Sequence, residues 1–394
     1  MRHARFRWPA LMMLSLPAGL SLSGFHASPA SPTTTLITEP SAGITPWISA
    51  IHQARSGIDV NAYLLTDGAI LKALKTAAAQ QPVHVLLERY PYQDHAAAQA
   101  AATALDHTAI TWRWAPARFS HPYTFDHAKY LITNPGTPHA LALFGSPNLT
   151  ASAFDGANAE VALETTQPTL TRALTAVFHA DWTHTPAGPG PRTALVLSPG
   201  SEPTLLRLLA TPGPIALATE ELGDVPAVYT AIRTHQGTVR LLVPATLSAS
   251  NRARAAALAH AGIQVRAIAQ PYLHAKLILT THQTFVGSQN WSEPSLDANR
   301  EVGLITANPT LHRHATAIFT QWWHQATPWG QPLPSVRRYP YLPDGWNPAQ
   351  VRQAWGPPTR ITHTTYAGHP ETVWVYPAGR VDFSHYRVTD VQRS

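Results

Sequence analysis

The sequence predicts an α/β protein built from two similar lobes, with a small α+β module after them. Two observations lead to this fold class. Short apolar strands alternate with amphipathic helices through most of the 394 residues, which is typical of α/β layers. The second half of this alternation also repeats the first half, motif by motif. A Pro/Gly-rich stretch at residues 186–191 separates the halves and has the composition of a linker.

The elements of each half follow from apolar periodicity and from turn residues. In the first half we predict a strand at 58–63, a helix at 69–80, a strand at 83–87 and a closing helix at 170–182. In the second half we predict strands at 214–218, 239–243 and 263–268, and helices at 227–235, 250–260 and 311–323, with Ser250 as the N-cap of the middle helix. The lobes are therefore placed at 31–185 and 192–328.

Residues 340–394 form a third region, predicted to be a small βα module. Asn347 and Pro348 are a typical helix start, an N-cap followed by proline, and the helix is expected to stop at Gly356. Residues 372–376 and 380–383 flank Pro-Ala-Gly and predict a β-hairpin. The region could bind a partner or could be an ordinary C-terminal extension.

The N-terminal residues have the layout of a secretory signal peptide. Arg2, Arg5 and Arg7 precede an apolar, uncharged stretch at 9–25, and small residues follow at 27–30. We therefore predict a signal peptide at 1–30 and a periplasmic or secreted protein. The sequence contains no cysteine, which excludes a lipobox anchor, disulfides, cysteine-ligated zinc and a cysteine nucleophile.

The charge composition argues against a strongly basic, nucleic-acid-binding surface. Charged residues make up 13% of the chain, about half of the roughly 25% usual for soluble domains. The formal net charge is +6, and three of these charges belong to the predicted signal peptide. Such a low remaining charge is unlike that of proteins with strong, salt-dependent DNA binding. Of the 28 basic residues, four are lysines: Lys72, Lys75, Lys129 and Lys276.

Two of these four lysines occur in a repeated motif. His127 and Lys129 form one His-x-Lys triplet, and His274 and Lys276 form another, 147 residues further on. Each triplet is followed by Gly-Ser-x-Asn and then by Glu-Val-x-Leu. These later motifs contribute Ser146, Asn148 and Glu160 in the first half and Ser288, Asn290 and Glu301 in the second.

These residue types suit chemistry on a phosphodiester. Imidazole is a nucleophile and also an acid or base near neutral pH, and lysine offers a compact positive charge to a phosphoryl oxygen. Asparagine supplies an amide donor, and a Gly-Ser turn can present backbone N–H groups to an anion. We expect each His-x-Lys to lie in a strand, so that its two side chains share a face. Two histidines allow one to attack phosphorus while the other protonates the leaving oxygen, although the residues alone do not decide which one attacks.

At these residues the sequence resembles the phospholipase D superfamily, over about residues 41–325. The resemblance implies two α/β/α lobes that share one active site at their interface, so that a monomer is functional. It also implies a covalent phosphohistidine intermediate and no metal or other cofactor. It implies that His127 is the nucleophile and His274 the general acid. The remaining roles implied are phosphoryl binding by Lys129, Lys276, Asn148 and Asn290, support by Ser146 and Ser288, and orientation of the histidines by Glu160 and Glu301.

The sequence departs from the family motif at one position in each half. The superfamily motif, His-x-Lys-x4-Asp, places aspartate where this chain has Asn134 and Thr281. Our leading hypothesis is an exported phospholipase D-type phosphodiesterase that hydrolyses or transfers phospholipid headgroups, with peripheral membrane contact left open. One alternative is an exported, metal-independent endonuclease acting on nucleic acid. Because of Asn134 and Thr281, a catalytically silent envelope interaction protein stays open as well.

Overall fold

The structure is a computed structural model. It describes residues 31–92, 94–121, 123–331, 346–355, 358–366, 369–376, 379–384 and 387–393. The predicted signal peptide and the predicted helix stop at Gly356 lie outside these residues. The α/β fold class is confirmed: helices accompany two sheets of eight strands each.

The first sheet is formed by the first half of the chain. Its strands are β1 (Thr34–Glu39), β2 (Ile58–Ala62), β3 (Val83–Leu87), β4 (Thr111–Trp114), β5 (Tyr130–Thr133), β6 (Leu141–Gly145) and β7 (Asn158–Thr165). They lie in the order β1-β7-β6-β5-β2-β3-β4. Every residue of β2 is buried, as expected for a central strand that is covered on both faces.

The second sheet repeats this arrangement. Its strands are β8 (Val196–Ser198), β9 (Ile215–Ala218), β10 (Val239–Pro244), β11 (Gln264–Ile268), β13 (Leu277–Leu279), β14 (Thr284–Gly287), β15 (Glu301–Thr306) and β16 (Thr327–Pro328). They lie in the order β16-β11-β10-β9-β13-β14-β15-β8. The succession β7-β6-β5-β2-β3-β4 thus corresponds to β15-β14-β13-β9-β10-β11. The remaining short strand, β12 (Tyr272–Leu273), belongs to the second half but pairs with β7 of the first.

The helices of the two halves are α1 (Thr45–Gln53), α2 (Gly68–Ala78), α3 (His95–Leu105), α4 (Ala151–Phe154), α5 (Pro168–Trp182), α6 (Glu202–Leu209), α7 (Pro226–Arg233), α8 (Ala249–His260), α9 (Glu293–Asp297) and α10 (Pro309–Gln325). In α2, the buried residues Ile70, Ala73, Leu74 and Ala77 recur at helical spacing. Asp67 caps this helix by accepting hydrogen bonds from two backbone N–H groups of its first turn. The N-cap prediction for α8 was wrong by two residues, because Ser248 rather than Ser250 accepts the bond, from Asn251 N.

Each half has a hydrophobic cluster of its own, and a further cluster spans both halves. This spanning cluster contains Phe144 of the first sheet, Val286 of the second sheet, Val177 of α5 and Phe319 of α10. A buried ion pair also joins the halves: the Arg300 guanidinium meets both carboxylate oxygens of Asp181 on α5, at 2.7 and 3.0 Å. Breaking a buried pair leaves an uncompensated charge, so this contact fixes the backbone around Arg300.

The C-terminal region contains α11 (Pro348–Trp355) and a four-stranded antiparallel sheet, β17 (Arg360–Tyr366), β18 (His369–Tyr376), β19 (Gly379–Ser384) and β20 (Arg387–Arg393). The Asn347 side chain caps α11 as predicted, by accepting a bond from Gln350 N at 2.9 Å. The predicted hairpin corresponds to β18 and β19, while β17 and β20 were missed. Trp346 packs its ring against Tyr272, with the ring centroids 6.5 Å apart.

Two features are absent from the described residues. Within this part of the chain, no helix has the length and apolar character needed to span a bilayer. The same residues contain no group of three or more His, Cys, Asp or Glu side chains arranged to hold a metal ion.

Candidate active site

Both His-x-Lys triplets lie where the two halves of the chain meet. The expectation that they lie in strands was wrong, because β5 begins at Tyr130 and β13 at Leu277, each directly after the lysine. The preceding backbone bonds to the opposite half instead of its own sheet. His127 N donates to Arg300 O at 2.9 Å, and His274 N donates to Ala159 O at 3.1 Å.

The two acceptor residues, Ala159 and Arg300, directly precede the repeated glutamates, so each glutamate serves the histidine of the other half. His127 Nδ1 lies 3.0 Å from both carboxylate oxygens of Glu301. His274 Nδ1 lies 2.7 and 2.8 Å from the oxygens of Glu160. This crossed arrangement fixes the Nδ1 proton on each ring and leaves Nε2 as the atom available for chemistry.

Small polar side chains hold each glutamate in place. Ser146 Oγ donates to Glu160 at 2.5 Å, and Asn158 Nδ2 donates to it at 3.2 Å. Ser295 Oγ and Asn299 Nδ2 donate to Glu301 at 2.6 and 3.2 Å. Although burial alone would raise the pKa of Glu301, His127, Lys129 and a hydrogen bond from Ser288 together hold that pKa below its ordinary value. Glu301 is therefore a buried anion matched to an imidazole.

The Gly-Ser turns support the glutamates rather than an anion. Ser146 N donates to Val161 O at 2.9 Å, and Ser288 N donates to Val302 O at 3.0 Å. Their backbone N–H groups are thus used within the two sheets, and the expectation that they face an anion was wrong. Glycine is needed at the first position of the turn for a steric reason, because a Cβ on Gly145 would lie 2.4 Å from Val161 O.

The two lysines are almost completely buried behind the histidines. Each Nζ donates to the backbone carbonyl oxygen of its own motif histidine, His127 or His274. Burial lowers the pKa of Lys129 to about 7, with Glu301 opposing and Lys276 adding to the shift. An anion that reaches Lys129 will therefore raise its pKa and keep it charged.

Asn148 and Asn290 line the same cavity as the two histidines. Their Oδ1 atoms are buried, and neither has a hydrogen-bond partner among the described residues. Buried amide groups are nearly always bonded. These two amides therefore have capacity for a bound ligand, and Nδ2 of each can donate to a phosphoryl oxygen.

The motif positions that have lost aspartate lie away from the cavity. Asn134 follows β5, so five residues of extended chain, about 16 Å, separate it from Lys129. Its Oδ1 accepts hydrogen bonds from Arg55 N and Ser56 N at 2.7 and 3.0 Å. Thr281 occupies the matching place beyond β13, where its Oγ1 would lie 2.6 Å from a Cβ on Gly213. Asn134 thus has a turn-forming role, and its replacement of aspartate leaves the histidine and lysine geometry intact.

The sequence motifs did not identify two side chains of this site, Tyr63 and Glu220. Tyr63 follows β2, and its ring lies 4.6 Å from the His127 ring, edge to face. Glu220 follows β9 closely, and its Oε2 lies 2.8 Å from Lys276 Nζ and 3.3 Å from His274 Nε2. Extending the repeat alignment past the ends of these strands would have identified them.

The cavity that exposes this machinery has a volume of about 750 Å³. Its aromatic lining comprises Tyr63, Tyr92, Tyr123, Phe125, Tyr272 and Trp346. Its acidic lining comprises Asp94, Glu220, Glu221 and Asp224. Among the described lining residues the one guanidinium is that of Arg254, and it lies 3.8 Å from an Asp224 oxygen.

Each of the two sheets contributes one imidazole, one buried lysine and one amide to the cavity region. Together these groups define a site for phosphodiester chemistry. A family model described as cardiolipin synthase, PLD-like domain, matches residues 47–182 and 224–323, which is more than half of the chain. The protein therefore belongs to the phospholipase D superfamily. No sequence match to a curated protein accompanies this family match.

The first two solved structures named here share the fold at low sequence identity. Phosphatidylserine synthase from Haemophilus influenzae Rd KW20 matches with a TM-score of 0.57 and 11% identity, over 75% of this chain and 87% of that one. Polyphosphate kinase from Porphyromonas gingivalis matches with a TM-score of 0.56 and 17% identity, over 74% of this chain. The match spans 50% of the polyphosphate kinase chain. Nuc, a phospholipase D family member from Salmonella typhimurium, matches 35% of this chain and 97% of its own, with 17% identity and a TM-score of 0.32.

Proposed function

We propose that the protein is an exported phosphodiesterase of phospholipase D type that hydrolyses or transfers the headgroups of phospholipids. The observation that carries this proposal is the wall of the cavity, where aromatic and acidic side chains surround the two histidines. The family match supports phosphodiester chemistry of this type. The N-terminal sequence supports export to the periplasm or outside the cell.

The first chemical step is an attack on phosphorus by one histidine. His127 is neutral near pH 7, because burial lowers the pKa of its ring to about 4, with Glu301 opposing this and Lys129 adding to it. The lone pair of Nε2 forms the P–N bond while the bond from phosphorus to the headgroup oxygen breaks. That oxygen takes the proton from His274 Nε2, and Glu301 stabilises the positive charge that develops on the His127 ring.

The second step reverses these roles. A water molecule, or the hydroxyl of an acceptor alcohol, attacks phosphorus and gives its proton to His274 Nε2. The P–N bond breaks, and its electron pair returns to His127. Lys129, Lys276, Asn148 and Asn290 supply donors for the non-bridging oxygens in both steps. Water gives hydrolysis, whereas an alcohol gives headgroup transfer.

The cavity wall favours a phospholipid over a nucleic acid. A nucleic-acid groove presents a track of arginine and lysine to successive phosphates. Here the arginine of the described lining lies 3.8 Å from an Asp224 oxygen, and the carboxylates of Asp94 and Glu221 line the same wall. Carboxylates and aromatic rings together attract a cation, so the lining suits an ammonium-bearing headgroup.

The mouth of the cavity favours contact with a membrane surface. Tyr92 and Tyr123 are 58% and 75% exposed, although both rings are large. Tyrosine is enriched at membrane interfaces because its ring is apolar and its hydroxyl is polar. A lipid headgroup could therefore enter the cavity while its acyl chains stay in the bilayer.

The deciding experiment measures headgroup release and plasmid cleavage side by side on the same pure protein, without and with EDTA. We expect headgroup release that is lost in His127→Ala and in His274→Ala and that survives chelation. Plasmid nicking without headgroup release would support the endonuclease alternative. No turnover of either substrate, with wild type matching the histidine variants, would support the silent interaction protein.

A further inference from the structure

The two halves of the site differ at one pair of equivalent positions. In the first half, Asn61 pairs with Tyr130 in the sheet, and Tyr63 lies two residues further on. In the second half, Ala218 pairs with Leu277, and Glu220 lies two residues further on. Because Tyr130 and Leu277 each follow the motif lysine, Tyr63 and Glu220 occupy matching places.

Other contacts fix the same equivalence independently. Leu65 forms a bridge with Leu149, directly after Asn148, and Leu222 forms a bridge with Trp291, directly after Asn290. Leu65 and Leu222 each lie two residues beyond the pair in question. The repeat has therefore kept its backbone here while exchanging a neutral ring for a carboxylate.

Glu220 makes its contacts with the reactive groups of the second half. Its Oε2 accepts a hydrogen bond from Lys276 Nζ at 2.8 Å and lies 3.3 Å from His274 Nε2. Its Oε1 accepts a bond from the Tyr272 hydroxyl at 3.1 Å. Burial would raise the pKa of Glu220, but His274, Lys276 and the hydrogen bond from Lys276 together lower it well below the ordinary range. The carboxylate is therefore ionised wherever the protein is folded near neutral pH.

Tyr63 places no charge on the first half. Its ring packs against the His127 ring, and Lys129 Nζ lies 4.6 Å from the centre of the same ring. Its hydroxyl accepts a hydrogen bond from Tyr92 N at 2.6 Å, on the side of the cavity wall. Among the described residues, the ion-pair contact of His127 is with Glu301 through Nδ1.

The charged groups around His274 come from several elements. Glu160 lies on β7, Glu220 follows β9, and Lys276 lies two residues after His274. Lys129 of the first half interacts with Glu160 and Glu220, and His127 of the first half interacts with Glu220. The neutral Tyr272 hydroxyl also lies close, through Glu220. Among the residues that the structure describes, two carboxylates contact the His274 ring, one on each nitrogen, whereas one contacts the His127 ring.

We propose that Glu220 holds a proton on His274 Nε2 and thereby makes His274 the general acid and His127 the nucleophile. This inference rests on the proposed phosphodiesterase function. Glu220 is a positioning residue, because it acts through His274 rather than on the substrate. At the matching position beside His127, the neutral Tyr63 provides no carboxylate to hold a proton on Nε2. The Nε2 lone pair of His127 can therefore attack phosphorus.

In this scheme each proton has a defined path. Before the first step, the proton on His274 Nε2 lies toward Glu220. As the bond from phosphorus to oxygen breaks, that proton moves to the leaving oxygen, and the neutral Nε2 lone pair then faces Glu220 and Lys276. In the second step Nε2 takes a proton from the attacking water, and Glu220 stabilises the imidazolium that forms.

The first test is the pH dependence of kcat in Glu220→Gln. The kcat profile reports the enzyme–substrate complex, in which the bound phosphodiester keeps Lys129 charged. An opposite charge within 4–6 Å typically raises the pKa of a histidine by about 1–3 units. We therefore expect the alkaline limb of kcat to move to lower pH by about one unit or more in Glu220→Gln, and to return toward wild type in Glu220→Asp.

The second test varies the leaving group. A choline alkoxide needs a proton donor, whereas p-nitrophenolate leaves without one. In a single turnover, which reports the first step alone, we expect Glu220→Gln to slow release of choline from phosphatidylcholine by about 100-fold and to change release of p-nitrophenol from a p-nitrophenyl phosphodiester by less than about threefold. Glu164→Gln is the matched control, since it removes a carboxylate near the far end of β7, and should behave like wild type.

The outcomes separate this inference from the proposed function. Equal decreases in rate on both substrates, with an unchanged alkaline limb of the kcat profile, would overturn the role of Glu220. If His127→Ala were inactive in the same assays, the proposed phosphodiesterase function would still stand. If wild type turned over neither substrate, both proposals would fall. Equal melting temperatures for Glu220→Gln and wild type would exclude a folding defect.

Discussion

Substituting Glu301 with glutamine tests the crossed arrangement of the site, because Glu301 lies in one half and the histidine it contacts lies in the other. Glutamine keeps the size of the side chain but removes the charge 3.0 Å from His127 Nδ1. At an effective dielectric of about 20, a carboxylate and an imidazolium at this separation interact by about 5 kcal/mol. Complete loss of that energy in the transition state corresponds to a rate decrease of about 10⁴-fold.

The substitution also affects the tautomer of His127. A glutamine N–H directed at Nδ1 would favour a proton on Nε2, which removes the lone pair that attacks phosphorus. We therefore expect kcat for headgroup release to fall by about 10³- to 10⁴-fold in Glu301→Gln. The loss should be similar for a p-nitrophenyl ester, because attack rather than protonation is impaired.

The assay is single-turnover headgroup release, with Glu164→Gln as the control for loss of a carboxylate elsewhere. Glu160→Gln provides the informative comparison, since Glu160 contacts His274, and its loss should be much smaller on the p-nitrophenyl ester. A loss below about tenfold in Glu301→Gln would refute the orienting role. Identical substrate profiles for Glu301→Gln and Glu160→Gln would refute the division of roles between the two histidines.

Three further predictions follow from particular contacts. Because burial lowers the pKa of His127 to about 4 and the nucleophile must be neutral, kcat/KM should stay near its maximum as pH falls to about 5 and should decline only near pH 4; a decline centred near pH 6.5 would contradict this. Replacing Tyr92 and Tyr123 with alanine should raise KM for lipid vesicles by about tenfold and leave KM for a short-chain soluble substrate unchanged, and equal effects on both would contradict membrane contact. Asp181→Ala removes the buried carboxylate that pairs with Arg300 and should lower the free energy of unfolding by about 3–5 kcal/mol. Denaturant titration measures this change, and a decrease below about 1 kcal/mol would contradict the structural role of the pair.

Much of the fold could be predicted because its elements carry local signals. β2, β3 and α2 are apolar segments bounded by turn residues, and their predicted ranges agree with the structure to within two residues. β1 and β8 escaped prediction because they pair with β7 and β15, which are distant in sequence. Short edge strands of this kind depend on long-range pairing rather than on local propensity.

The composition of the site could also be predicted, but its crossed geometry could not. The motif spacing identified the two histidines and the two glutamates as candidates. Which glutamate contacts which histidine depends on backbone bonds between the halves, such as His127 N to Arg300 O. Tyr63 and Glu220 were missed for a different reason. A repeat is recognised where its residues agree, whereas these matching positions carry different residues.

In the proposed mechanism, His127 forms the covalent intermediate while His274 donates and accepts the proton. The most direct test reacts His274→Ala with a p-nitrophenyl phosphodiester, quenches the reaction, and locates the modified residue by peptide mass spectrometry. The first step needs no acid with this leaving group, while the second step lacks its base, so the intermediate should accumulate. We expect one phosphoryl adduct per chain, on His127. An adduct on another residue, or the absence of any adduct during p-nitrophenol release, would contradict the assignment of His127 as the nucleophile.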